Sequence, residues 1–263
     1  MNANFSLSKR QLLPPILNSG ALKWIALITM LIDHIGAILL ERGVISAYNQ
    51  GLSSALSYDA SIFFSKMDFI IRQIGRISFP IFCFLLVEGF YHTSNKKKYA
   101  LRLFLFAYVS EIPFDLCFQG KILEFSHQNV MFTLLFGFLT MWAIEILKEK
   151  KEMLGIIPAV LGVLIGALFQ ADYDWKGIVL ILVLYFFYLY PVEKTIAGCL
   201  ALCWEPQRAL HLFPLTFIIT KKETDRNISF TFSIRSISFS YFLFGLLSFV
   251  FKSTPKSRSD FTF

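Results

Sequence analysis

The sequence predicts an all-α, polytopic membrane helix bundle of about nine to ten transmembrane helices. Three observations predict it. The first is composition: of 263 residues, 56% are hydrophobic and 16% charged, against roughly 45–50% and about 25% in soluble domains. The second is a series of apolar runs near the ~20 residues that a spanning helix needs. The third is that basic residues gather between alternate runs, as the positive-inside bias produces. So few charges cannot coat a soluble globule of this length, and a chain this apolar is not disordered. The net charge of +7 follows from those basic clusters, so no nucleic-acid partner is expected. The four cysteines, Cys83, Cys117, Cys199 and Cys203, lie inside apolar runs and behave as small hydrophobes, not as a disulfide framework.

The spans are expected in order. Ala21–Leu40 is first. Its apolar run is too long for the core of a cleavable signal, it ends in Glu41-Arg42 and no small-residue cleavage site follows, so it is expected to remain as a signal-anchor helix. Then come Ile70–Phe90, Leu101–Phe118, Val130–Leu147, Leu154–Ala171, Gly177–Tyr190, Ile196–Trp204, Ala209–Thr220 and Ile237–Phe251. The seventh and eighth are short, consistent with tilted, broken or re-entrant segments. The longest connection, Arg42 to about Phe69, shows no motif and is expected as a loop. One domain, 1–263, accounts for the whole chain.

The loop charges orient the bundle. Lys9 and Arg10 precede the first span, Lys96, Lys97 and Lys98 follow the second, Lys148, Lys150 and Lys151 the fourth, Lys194 the sixth, and Lys221, Lys222 and Arg226 the eighth. Alternate loops hold only Arg42, Lys66, Lys121, Lys176 and Arg208. A cytoplasmic amino terminus satisfies both sets. The last stretch inverts the bias: if Ile237–Phe251 spans, Lys252, Lys256 and Arg258 lie outside.

In a bilayer the informative residues are ionisable groups within spans, because each costs a few kcal/mol or more to insert. The first span carries Asp33-His34; the second Arg72, Arg76 and Glu88; the third Lys98, Arg102, Glu111 and Asp115. Gln128-Asn129 opens the fourth, and Asp172 and Asp174 close the fifth. Lys23 and His34 are eleven residues apart, which returns to nearly the same helix face about 16 Å further along. A cation at the rim can hold a phosphate, and an imidazole further in can exchange a proton near neutral pH. A coenzyme A thioester has that shape. Bland readings fit the same residues. Lys23 serves as a positive-inside flank, Asp33-His34 as a structural pair or a transporter's proton relay, and Arg76–Glu88 and Arg102–Glu111 as mutually neutralising pairs. His92, His127, Asp115 and Asp172 lie near span ends, where solvated charges are ordinary. Gly162-x-x-x-Gly166 is a packing face. The chain has no Gly-rich phosphate loop, no H-E-x-x-H and no Cys/His pair at metal spacing.

The strings "LKWIALITMLIDHIGAIL", "IGRISFPIFCFLLVEGFYHTSNKKKYALRLFLFAYVSEIPFDL", "QNVMFTLLFGFL" and "ADYDWKGIVLILV" resemble the TraX family of bacterial membrane proteins, in order and with similar spacing, over roughly Leu22–Tyr190. The resemblance implies a bacterial inner-membrane protein related to pilin acetylation. It also implies kinship with transmembrane acyltransferases, including the acyltransferase-3 proteins, whose first helix carries a basic residue, ten intervening residues and a histidine. Lys23–His34 has that spacing. The implied donor is acetyl-CoA. His34 would be the general base, Asp33 would orient it, and Glu88 and Glu111 would shape the buried site as further catalytic groups. Lys23, Arg76, Lys98 and Arg102 would grip the donor's phosphates, and Asn129 would line the site.

Family members continue after the equivalent of Pro214-Leu215 with a Tyr-Asn-Gly stretch and a closing helix. Here a Ser/Phe-rich segment follows, so the resemblance covers about 22–215 and the tail 216–263 is atypical. A shifted or degenerate reading frame near Thr216–Ile228 would account for it. The expected function is transfer of an acetyl group from cytoplasmic acetyl-CoA to a pilin-like protein amino terminus or a cell-surface glycan, within the lipid bilayer. The rivals are a proton-coupled small-molecule transporter using Asp33, His34, Glu88 and Glu111, and a non-catalytic membrane assembly factor. The oligomeric state is not specified by the sequence.

Overall fold

The computed structural model describes residues 19–51, 57–118, 120 and 127–202. Among these the chain is all-helical, with a single isolated bridge between Gln128 and Ala171 in place of any sheet. In chain order the helices are α1 (Ser19–Ile35), which runs on through a π-helical stretch, Gly36–Ile45, into the short α2 (Ser46–Asn49); α3 (Tyr58–Gly75); α4 (Ser78–His92); α5 (Lys96–Phe118); α6 (Val130–Lys148); a 3₁₀ turn, Glu152–Gly155, leading into α7 (Ile156–Phe169); α8 (Asp174–Phe186); and α9 (Pro191–Leu202).

Four helical stretches among the described residues are long and apolar enough to cross a membrane: Gly20–Asn49, Tyr58–His92, Val130–Lys148 and Glu152–Phe169. That makes a polytopic membrane protein, with fewer clear spans than the nine to ten expected. The physical reasons differ by element. α5 has the length, at 23 residues, but carries Arg102, Glu111 and Asp115 besides its three leading lysines. α8 and α9 have 13 and 12 residues, below the ~20 that the hydrocarbon core demands. The expected spans Ala209–Thr220 and Ile237–Phe251, the end of Ile196–Trp204, Cys203 and the tail 216–263 lie outside the described residues.

The expected loop between Arg42 and Phe69 is the main correction. Its first part prolongs α1, and from Tyr58 onward it is α3, capped by the Ser57 hydroxyl accepting from the Ala60 amide at 3.3 Å. Asp59, Lys66 and Asp68 interrupt the apolar run without interrupting the helix. The expected second span, Ile70–Phe90, is broken at Arg76–Ile77, where α3 ends and α4 begins.

α4 is the central element: every residue from Ser78 to Phe90 except Glu88 is buried. It packs on α1, α6 and α8, while α3 packs on α1 and its π-helical extension. The Gly162-x-x-x-Gly166 face is a packing face as expected. A Cβ at Gly162 would collide with the Thr140 side chain of α6, and one at Gly166 would meet Ile178 of α8 at 2.6 Å. Cys83 is a buried free thiol.

Candidate functional site

Contacts of α1 with both α3 and α4 set the polarity of the bundle. The ends of α4, α6 and α8 and the starts of α5 and α9 lie with the start of α1. The other end gathers the last turn of α1, the α3–α4 joint, the end of α5, the start of α6 and the α7–α8 turn.

At this second end Asp33 and His34 take different partners, because neighbours on a helix point about 100° apart. Asp33 faces α3. Its Oδ2 accepts from Arg72 Nη1 at 2.6 Å, the same Nη1 lies 3.3 Å from the Asp33 carbonyl, and Arg72 Nε is 3.8 Å from Glu41 Oε2. Contact this close requires a glycine opposite, since a Cβ at Gly75 would overlap the Asp33 side chain and backbone. Asp33 Oδ1 is buried there without a hydrogen-bond partner, as is Asp68 Oδ1, one turn before Arg72 on the same face of α3.

His34 turns inward and is 9% exposed. Its Nδ1–H donates to the Met30 carbonyl at 2.8 Å, so in the neutral ring Nε2 carries the lone pair. The Phe118 ring stands edge-on to the imidazole, with centroids 6.2 Å apart. Phe118 is itself held by Arg42, which donates to its carbonyl and lies 4.9 Å above its ring.

Toward the same end of the bundle, Glu111 of α5 is buried, and its Oε2 accepts from the Asn129 amide at 3.2 Å and from the Asn129 side chain. Asn129 also donates to the Ala107 carbonyl, 3.0 Å, and caps α6 by accepting from the Met131 amide, 2.9 Å. Glu111 Oε1 has no hydrogen-bond partner. Asp115, one turn along, is fully buried. The Gln128–Ala171 bridge clips the α5–α6 loop to the α7–α8 turn and sets His127 3.9 Å from Asp172. Contact with Asp172 holds the His127 imidazole above its ordinary range.

The first end is basic. Lys96 pairs with Glu145 and lies 4.4 Å over the Phe90 ring. Lys98 and Arg102 are exposed on the opening turns of α5. Lys23 is buried, 3% exposed. Glu88 accepts from the Tyr188 hydroxyl at 3.4 Å. Lys194 donates to the Tyr188 carbonyl at 3.2 Å and lies over the Phe84 and Tyr188 rings.

The structure thus divides the expected site. Asp33, His34, Arg76, Glu111 and Asn129 lie toward one end, and Lys23, Glu88, Lys98 and Arg102 toward the other. Arg76, expected among the phosphate-gripping cations, ends α3 close enough to Asp33 for their charges to interact. The suggested neutralising pairs are not brought together. Arg76 and Glu88 stand at opposite ends of α4, and Arg102 is exposed while Glu111 is buried with Asn129. The sequence reading gave Arg72 and Glu41 no role; the four-residue spacing of Arg72 and Arg76, which puts them on one helix face, was the available signal. A coenzyme A thioester fits this division in outline: cations at one end, and about 16 Å along α1 from Lys23 an imidazole with its Nε2 lone pair.

Residues 18–234 match the family described as TraX protein. The matched stretch runs beyond Pro214-Leu215. A probable fimbrial assembly protein FimC, serogroup H1, from Dichelobacter nodosus is 30% identical over 190 residues, which cover 68% of this chain and 66% of that protein's length. No solved structure matches the chain.

Proposed function

The chain belongs to the TraX family, and from that premise we propose that it is a membrane-embedded acetyltransferase acting on a pilin-like protein or a cell-surface glycan, with acetyl-CoA as donor. The observation that carries this reading is His34. It is buried, with Nδ1–H committed to the Met30 carbonyl, so its neutral ring can accept a proton only at Nε2. The relative named for fimbrial assembly supports a pilin-like acceptor. Spacing of the acyltransferase-3 kind between Lys23 and His34 supports the donor.

In this mechanism the donor's phosphates lie at the basic end, with Lys98, Arg102 and Lys23. The acceptor's amine or hydroxyl meets the thioester near His34. Nε2 takes the proton as the nucleophile attacks the acetyl carbonyl carbon, the carbon–sulfur bond breaks, and the departing thiolate recovers the proton from the imidazolium. Glu111 and Asn129, which hold the start of α6 against α5, fix the wall of that site. The basic end faces the cytoplasm of a bacterial inner membrane, with the amino terminus on the same side. α5, α8 and α9 join the four long apolar stretches as seven spans, and the expected spans Ala209–Thr220 and Ile237–Phe251 would bring the bundle to nine.

The test is acetyl-CoA binding and acetyl transfer by purified protein in detergent, with wild type beside His34→Ala and Lys23→Ala. Binding is read as thermal stabilisation, because a ligand of the folded state alone raises its stability by mass action. The expected pattern is a stabilised wild type, a weakened shift in Lys23→Ala, and binding without transfer in His34→Ala. A well-folded wild type indifferent to coenzyme A overturns the reading. Proton-coupled uptake into proteoliposomes would then favour the transporter.

A further inference from the structure

α1 does not continue as an α-helix after His34: from Gly36 to Ile45 it winds as a π-helix. The winding has a consequence for side-chain direction. Around an α-helix, eight steps of about 100° leave Glu41 about 80° away from Asp33. The wider i→i+5 winding turns less per residue and carries Glu41 back toward the face of Asp33. Both carboxylates then meet one cation, Arg72, at 2.6 Å and 3.8 Å. The next residue, Arg42, is by the same winding delivered to Phe118, whose ring lies against His34.

We propose that Arg72 is a positioning residue for His34. By bridging Asp33 and Glu41 it fixes the rotational phase of α1 and the π winding behind it, and so holds the imidazole in its edge contact with the Phe118 ring. Three observations converge on this role. Arg72 contacts both ends of the transition from α to π geometry. Gly36 and Gly75 bring α3 close enough for it to do so: a Cβ at Gly36 would lie 2.9 Å from Ile71 and 3.3 Å from Arg72 itself, and one at Gly75 would overlap Asp33. And the Asp33 carboxylate is directed at Arg72 while the His34 ring is oriented by Met30, so Asp33 acts on His34 through the helix and not through its ring. A guanidinium suits the task, because its several donors reach the Asp33 carboxylate, its carbonyl and Glu41 together.

The inference rests on the acetyltransferase reading for its kinetic arm, and a second arm is independent of it. In transfer assays, Arg72→Ala is expected to lower kcat about 10- to 100-fold, the scale of a small misplacement of a reacting group, with the acetyl-CoA KM little changed. Arg72→Lys should recover part of the loss. Asp33→Asn combined with Arg72→Ala should be no worse than the more severe single variant, because both remove one interaction. The independent arm is carbethoxylation of His34 by diethyl pyrocarbonate, followed by mass spectrometry on monodisperse protein in detergent. Labelling of His34 should be severalfold faster in Arg72→Ala and intermediate in Arg72→Lys. If Arg72→Ala does not fold, Arg72→Lys and Asp33→Asn carry both arms. An acetyl-CoA KM that rises with kcat unchanged would make Arg72 a donor-binding residue and overturn the proposal; so would labelling that is unchanged or slower in every variant. A wild type without transfer activity counts against the acetyltransferase reading, and the labelling arm alone then decides this one.

Discussion

Two junctions in this molecule use glycine to bring helices into contact, and they enclose opposite things. Where α7 meets α6 and α8, Gly162 accepts the Thr140 side chain and Gly166 accepts Ile178, and the Thr140 hydroxyl returns to its own helix at the Phe136 carbonyl, 2.7 Å. The side chains that meet those two glycines, Thr140 and Ile178, are uncharged. Where α1 meets α3, Gly75 accepts Asp33, and Arg72, Glu41, Asp68 and Arg76 surround the contact. The same packing device thus serves cohesion in one place. In the other it brings charges to membrane depth that lipid alone would oppose. The proposed function draws on the second junction and not on the first.

The largest expected effect that tests this contrast is at the imidazole next to the second junction. His34→Ala should lower acetyl transfer by about 10²–10⁴, the usual contribution of a general base, while the protein stays folded in detergent. Equal loss of folding and transfer would place His34 with the packing residues instead.

Next come the two glycines themselves. Gly162→Ala and Gly75→Ala should each cost about 1–3 kcal/mol from overpacking, read as a fall in unfolding temperature in detergent. Only Gly75→Ala should also depress kcat in protein that remains folded, because only there does the displaced backbone carry Asp33 and His34. A matching kcat loss in Gly162→Ala would erase the distinction.

Asn129→Ala should destabilise by about 1–2 kcal/mol through the lost α6 cap, with added cost from the Glu111 oxygen left buried. Asn129→Asp should keep the cap while opposing Glu111 with a second carboxylate, and so separate these two contributions by thermal unfolding.

The smallest effect concerns the α5–α6 loop. Asp172 holds His127 above its ordinary range, so the protonated imidazole stabilises the folded state. That contribution is complete below the unfolded value of about 6.5 and is lost as pH rises through the higher folded one. Unfolding temperature against pH should therefore fall more across that window in wild type than in Asp172→Asn. Both side chains are nearly half exposed, which keeps the difference modest.

How far the sequence foretold this contrast follows from the range of the forces involved. α6 and α7 are uniform apolar runs, and their boundaries were legible to within a few residues because length and hydropathy alone determine them. α3 was not legible. Asp59, Lys66, Asp68 and Arg72 lower its apparent apolarity, and Asp68 and Arg72 make sense only against the facing surface of α1. His34 stood out because an ionisable group inside an apolar run is costly wherever it goes. The partner of Asp33 did not stand out, since pairing with Arg72 depends on two helices meeting at Gly75. The π winding left no periodic trace: Gly-Ala-Ile-Leu-Leu reads equally well as α-helix. Glu111 and Asn129 were both singled out, but their mutual bond, across eighteen residues, was not.

The ion pair at Arg72 also bears on how the protein is made. Asp33 and Arg72 are 39 residues apart, and synthesis at about 5–20 residues per second puts roughly 2–8 s between their emergence from the ribosome. During that interval the first helix carries an uncompensated carboxylate. Insertion of α1 and α3 as a joined hairpin, with the counter-charge supplied in the same step, spares the bilayer an isolated anion. The long extension of α1 past His34 and the return along α3 give the chain that hairpin. The Arg72–Asp33 contact of the finished protein is then also the one that lets its first segment settle in the membrane.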